Sequence, residues 1–324
     1  MLHSVRKTAP AAWSAWTAST ARTSESGHWP LLAFVHIFKT AGTTLTGILR
    51  RNFSTRHFDT RLIQEKPAIT AAQLKRAMFV YPRIESIAGH AVRPHTDLRV
   101  AFPEIRFYTF LRDPRTRLVS SFLFTRAIRI RKGEWRPGGD REIEDAFIGS
   151  MTRPRNDYCG ILAPDGGDAA SAIEVVETKM EFVGLVEQFD ESLALLKNWI
   201  GRHDFDPAYR RMNDSERRGV EERKFRTVHG DLGRLVRVVR SVAARAEIAE
   251  MIAAMQPEDI ALYDHVRTET FERMRQRYSA GPGPFSFEDG TVAADTVPGR
   301  LYRNLVGRPL VPLIAQMASA RRVT

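Results

Sequence analysis

The sequence predicts an α/β chain of three layers, a central parallel sheet with helices on both faces. Three observations carry this. Phe34 to Leu49, FVHIFKTAGTTLTGIL, passes from apolar strand residues through a tight polar turn into helical spacing at Leu45, Ile48 and Leu49. Ile105 to Leu111, IRFYTFL, is apolar almost throughout, as strands buried on both faces are. Phe182 to Val186, FVGLV, repeats that character and leads into a helical pattern at Leu193, Leu196 and Ile200. Strands alternating with helices build a covered parallel sheet, and ligands of such sheets gather at the C-terminal ends of the strands.

Taken in order, residues 1–30 are rich in Ala, Ser and Thr, with three tryptophans and no periodicity. They read as a disordered or loosely attached extension, and they contain no continuous apolar stretch of the kind a signal peptide needs. The folded domain is expected over residues 31–280. Phe34, Val35, Ile37 and Phe38 read as the end of the first strand. Arg50 to Thr60 is basic and polar and reads as a loop. A short helix is expected from Thr70, and a second short strand over Ile84 to Gly89. The strand at 105–111 stops at Arg112-Asp113-Pro114 and gives way to a helix with Leu118, Phe122 and Ile128 inward. Arg126 to Arg141 clusters Arg and Lys around Gly133, Pro137, Gly138 and Gly139, a basic loop on the substrate side or a solvated one. Asp140 to Met151 looks helical, and residues 152–171 irregular. Asp190 is placed to cap the helix after the 182–186 strand. Residues 202–240 are arginine-rich, and Pro257 suits the first position of a long helix reaching about Tyr278. Residues 281–324 form a basic tail, with five arginines and no acid in the last 26 positions.

Composition narrows the function. The 324 residues carry a net charge of +11 and 43% hydrophobic residues, a globular core with a basic surface. Such a surface suits an acidic partner: nucleic acid, anionic lipid, an anionic polysaccharide or a polyphosphorylated donor. The only cysteine, Cys159, excludes an intrachain disulfide and reads as a small buried side chain. With no leader and no run long enough to span a membrane, the expectation is a soluble cytoplasmic enzyme. The acids and histidines show no ligand spacing such as HExxH or CxxC, so no metal is implied.

The turn Lys39-Thr40-Ala41-Gly42-Thr43-Thr44 is the first chemical signal. A strand, a tight turn and a helix aim backbone N–H groups at an anion, and the helix N-terminus adds about half a positive charge. Lys39 supplies a full charge, and Thr40, Thr43 and Thr44 supply hydroxyls. This reads as a phosphate or sulfate cradle. Its order differs from the nucleotide-binding GxxxxGK pattern, in which the lysine follows the glycines. The plainer alternative is an ordinary turn capped by Thr43 or Thr44. A second signal lies in FLRDPRTRLVSSF, where Arg112 ends a strand and Ser120 follows eight residues on. A guanidinium and a hydroxyl there could close on one phosphate, or Arg112 could pair with a surface carboxylate. Of nine histidines, His90 stands at a strand end after Gly89, between the two signals.

Together, HIFKTAGTTL and RDPxxRLVSS resemble the 5′-phosphosulfate loop and the 3′-phosphate motif of sulfotransferases that use 3′-phosphoadenosine 5′-phosphosulfate (PAPS). The nearest resemblance is to carbohydrate sulfotransferases of the heparan/uronyl 2-O type, over roughly residues 34–278. Phe182 to Leu196 and Asp259 to Met274 look like later elements of that family. The resemblance implies a P-loop NTPase-like sulfotransferase fold, with Lys39 to Thr44 on the 5′-phosphosulfate and Arg112 and Ser120 on the 3′-phosphate. It also implies His90 as catalytic base, Lys39 stabilising the leaving phosphate and a carbohydrate hydroxyl as acceptor, with neither metal nor nucleic acid. Arg117 matches a position read as structural, and Arg93 and His95 are acceptor-contact candidates. Phe38 stands where that family usually has proline, and Ala88 where it has a second histidine. Two other classes compete. A nucleotide or small-molecule kinase would need a Walker-B-like acid, for which Asp113 is the candidate. A non-enzymatic polyanion binder would interleave aromatics with its basic stretches, and here they are sparse.

Overall fold

The computed structural model describes residues 29–63, 68–164, 167–209, 226–279 and 295–320. Most of the expected N-terminal extension, residues 1–28, lies outside them. The chain runs β1 (Leu32–Val35), α1 (Gly42–Phe53), β2 (His57–Asp59), α2 (Ala71–Val80), β3 (Ser86–Gly89), α3 (Leu98–Ala101), β4 (Arg106–Leu111) and α4 (Pro114–Arg131). It continues through α5 (Asp140–Ile148), α6 (Cys159–Leu162), α7 (Ala169–Lys179), β5 (Met180–Leu185) and α8 (Phe189–Ile200). Then follow α9 (Arg226–Ala243), α10 (Ala246–Ala254), α11 (Pro257–His265), α12 (Phe271–Tyr278), α13 (Val297–Tyr302) and α14 (Arg308–Ala320). All strand pairs are parallel, in the order β2-β3-β1-β4-β5. This is the expected three-layer α/β arrangement.

The order has a consequence for function. After β1 the chain crosses to β2 and β3 on one side, then returns to β4 and β5 on the other. The loops leaving β1 and β4 therefore diverge at one crevice, the place where such sheets bind ligands. The register aligns Val35 with Gly89 on one side and Thr109 on the other, so the three strands end nearly level. The Thr109 hydroxyl donates to the Val35 carbonyl at 2.8 Å and fastens β4 to the end of β1. Behind the crevice, Tyr108 packs between Phe34 and Trp199, 5.3 Å from each. A second apolar core lies among α4, α5, α9 and α10, with Phe122 and Phe147 ring to ring at 5.0 Å.

Several elements depart from expectation. Arg50 to Thr60 is not a loop: α1 continues to Phe53, and β2 forms at His57–Asp59. The strand escapes a hydrophobic reading because two of its three residues are polar, buried on partners that lie elsewhere in the sequence. His57 meets the Ser86 hydroxyl at 3.0 Å, and Asp59 accepts from Arg50 at 2.5 Å. β1 stops at Val35, leaving Ile37 and Phe38 in the turn. The first residues of the 126–141 cluster continue α4 as far as Arg131. Asp190 sits in the first turn of α8, after Gln188 at the cap. The long helix from Pro257 does reach Tyr278, through a π-type turn at 266–270.

The described part of the tail, residues 295–320, docks on the domain beside β2 and α2. Ser54 and Thr296 hydroxyls meet at 2.7 Å, and the Tyr302 hydroxyl donates to the Val80 carbonyl. Gly307 lies against Tyr81 so closely that a Cβ there would fall 2.1 Å from the phenolic oxygen. Arg303 pairs with Asp295 and lies 3.8 Å from buried Asp59. Among the described residues no helix is long and apolar enough to cross a membrane.

Candidate active site

The turn between β1 and α1 is built by its backbone. Lys39 and Ala41 both have positive φ, +68° and +59°, unusual for side-chain-bearing residues. Two left-handed residues in so short a turn fold the chain back sharply enough to start α1 at Gly42. The Thr40 hydroxyl, fully buried, donates to the Ile37 carbonyl at 2.9 Å and staples the turn from inside. Thr40 is therefore a structural part of the loop. The first intrahelical bond runs from Leu45 N–H to Ala41 C=O. The N-cap of α1 is Ala41, which gives no side-chain cap among the described residues; neither Thr43 nor Thr44 is the N-cap, and the first turn carries no acid. The N-terminal N–H groups of a helix need partners, and this terminus opens on the crevice with Lys39 beside it.

Gly42 is glycine because of a neighbour. A Cβ there would lie 1.9 Å from His36 Nε2. That imidazole cannot easily yield, since it is stacked between Phe34 at 5.5 Å and His90 at 4.2 Å. Burial, and secondarily the neighbouring His90 and Arg61, push the His36 pKa down to about 3, so it stays neutral. His36 was present in the motif but carried no role in the sequence reading.

His90 follows β3 directly, one strand spacing from His36. Gly89 before it approaches Thr60 so closely that a Cβ would sit 1.9 Å from the Thr60 hydroxyl. His90 Nδ1 lies 2.7 Å from the His36 carbonyl. A carbonyl only accepts, so Nδ1 carries the hydrogen and Nε2 keeps the basic lone pair. Desolvation by its surroundings, with Arg61 and Arg93 adding positive charge, holds the His90 pKa below the ordinary histidine value despite the hydrogen bond to His36. Arg93 donates to the carbonyls of His90 and Val92 and so braces the loop of this histidine. Nδ1 of His95 donates instead to the Leu162 carbonyl, 3.2 Å away. Ala88, where the resembled pattern has a histidine, is buried in β3.

At the end of β4, Arg112 is held by its backbone: the Tyr158 hydroxyl donates to its carbonyl at 2.6 Å. Its Nε donates to the Thr116 hydroxyl at 3.0 Å rather than to Ser120. Thr116, Ser120 and Phe124 follow at four-residue intervals, one stripe along α4. The far end of that stripe meets the cradle, where Lys39 Nζ lies 4.2 Å above the Phe124 ring. The two sequence signals are thus joined by one helix face, with Ser120 between them. Arg117 lies inside, bonded to Asp157 at 2.7 Å and Gln256 at 2.9 Å. Asp113, the acid of the kinase alternative, caps α4 by accepting from Arg115 N–H at 2.8 Å. Cys159 is buried, and burial raises its pKa. Phe38, Phe124 and Arg61 complete the surroundings of Lys39 and His90. Phe124 lay in plain sight one turn beyond Ser120, a spacing that the sequence could have offered.

Residues 30–157 match the model of the sulfotransferase family. The matched stretch holds the cradle, His90, Arg112 and Ser120, and with the three-layer fold it supports a transferase of the sulfotransferase kind. No curated protein and no solved structure matches the chain significantly.

Proposed function

We propose that the protein transfers the sulfuryl group of PAPS to a hydroxyl of a carbohydrate or glycan-like acceptor. The observation that carries this reading is the α1 N-terminus, left without a side-chain cap beside Lys39 and next to an imidazole whose basic Nε2 is fixed by a carbonyl. In this reading Lys39, Ala41, Gly42, Thr43 and Thr44 surround the 5′-phosphosulfate, with Thr40 shaping their turn. Arg112 and Ser120 hold the 3′-phosphate, for which Arg112 exchanges Thr116. The acceptor oxygen forms a bond to sulfur as the bond from sulfur to the 5′-phosphate oxygen breaks. The acceptor proton passes to His90 Nε2, and the charge gathering on the leaving phosphate is met by Lys39 and the helix N–H groups.

Calorimetric titration with 3′-phosphoadenosine 5′-phosphate, without magnesium, tests the donor half. Tight binding, and much weaker binding of adenosine 5′-phosphate, is the expected result. Equal affinities for the two nucleotides, or a requirement for magnesium, would count against it.

A further inference from the structure

We propose that Phe38 and Phe124 form the wall against which the acceptor lies, and that it selects a hydroxyl-bearing ring with an apolar face. The inference rests on the sulfuryl-transfer reading above, because it places the wall beside His90 and Lys39.

Phe38 is 38% exposed, although it sits in the turn between two otherwise well-buried elements. An exposed phenylalanine held in a fixed turn is apolar surface kept in water, and it becomes informative when it is part of a patch at a site. Here the patch has a defined shape. The Phe38 and Phe124 rings meet edge to face at 5.6 Å, an arrangement aromatic pairs favour. Phe38 lies 6.3 Å from the His90 ring. Lys39 Nζ lies 4.2 Å from the centre of Phe124 and 5.9 Å from that of Phe38. The groups proposed to take the acceptor proton and to meet the leaving charge are therefore flanked by two rings. A flat ligand lying on that wall would present a ring hydroxyl toward Nε2. A charged or open-chain alcohol would gain nothing from it. The wall also depends on this chain's own departure from the resembled loop, since proline at position 38 would remove half of it.

Two sources share this chemistry, a pyranose with an apolar face and an aryl alcohol, and two probes separate them: a neutral methyl pyranoside and 2-naphthol. Transfer from labelled PAPS to each is measured alongside saturation-transfer NMR of each probe with 3′-phosphoadenosine 5′-phosphate present. Phe38→Ala and Phe124→Leu should raise the KM for the accepted ring roughly ten- to hundredfold, the size of a lost aromatic stacking contact. Nucleotide affinity should stay near the wild-type value, which also reports that the variants are folded. Saturation of the ring protons should fall in parallel. Phe38→Pro should behave like Phe38→Ala. An unchanged KM and unchanged ring contacts in both variants would overturn the wall, as would transfer confined to open-chain alcohols. If the nucleotide does not bind at all while the ring contacts still depend on Phe38, the wall stands and the donor assignment falls.

Discussion

The two strand-to-helix junctions of the crevice solve the same problem in opposite ways. After β4, α4 is closed by its own sequence: Asp113 accepts from the first turn and Pro114 occupies the first helical position. After β1, α1 begins with an alanine in the left-handed region and has no side-chain cap. A capped helix end has donors already engaged and would bind an anion mainly through side chains, as proposed for Arg112 and Ser120. An uncapped end offers its backbone. Under the proposed function the difference divides the labour: the first junction would stabilise changing charge and the second would hold a group that does not change.

That division can be broken in order of effect. His90→Ala, which removes the proposed base beside the first junction, should lower turnover about a hundred- to ten-thousandfold with little change in nucleotide affinity. Single-turnover rates and calorimetry on the same sample decide this, and a parallel loss of both would make His90 structural. Lys39→Ala should cost on the order of a hundredfold or more in rate, as loss of one transition-state donor does. Turnover at the wild-type level would remove the cradle assignment. Arg112→Ala should act on binding instead. Affinity for the 3′-phosphorylated nucleotide should drop about ten- to a hundredfold, the range of a charged hydrogen bond, while adenosine 5′-phosphate is spared. Asp113→Ala should lower folding stability by about 1 kcal/mol in urea titration, since it deletes a helix cap. It should leave transfer within a few-fold of wild type, and a rate collapse would mean that the second junction also takes part in chemistry.

The smallest expected effect is on pH. Only neutral imidazole accepts a proton, so the rate should fall as pH drops through the His90 pKa. Desolvation first, then Arg61 and Arg93, hold that pKa low, so the acid limb should lie below the ordinary histidine value of about 6.5. Arg61→Ala removes one positive neighbour and should move the limb upward. A limb that stays in place would mean that Arg61 plays no part in setting it.

What could be read from the sequence was what repeats or punctuates. β4 announced itself by an unbroken apolar run, and the helix from Pro257 by its period and its proline. The Lys39–Thr44 turn and His90 stood out as candidates because polar residues follow strand ends abruptly. β2 was hidden because it is three residues long and half polar, and its burial depends on Arg50 from α1 and on Arg303, more than 240 residues further along the chain. The tail read only as basic because its apolar residues are scattered among arginines, and the docking of its described part uses glycine, tyrosine and hydroxyl contacts that leave no periodic trace. The stacking of His36 on His90 needed the level ends of β1 and β3, a matter of register that no single strand reveals.

The docked C-terminal segment has a consequence for how the molecule comes to be. Ser54 meets Thr296 across 242 positions, and Val80 meets Tyr302 across 222. Asp59 is buried with Arg50 at once available, but Arg303 reaches it only after more than 240 further residues have been made. On a ribosome making about 5–20 residues per second, the edge of the sheet at β2 would wait on the order of ten seconds or more for its cover after its own synthesis. Contacts of such long separation also slow folding, because the loop must close before they form. During that interval the nascent chain carries an open parallel edge, a surface able to pair with other chains.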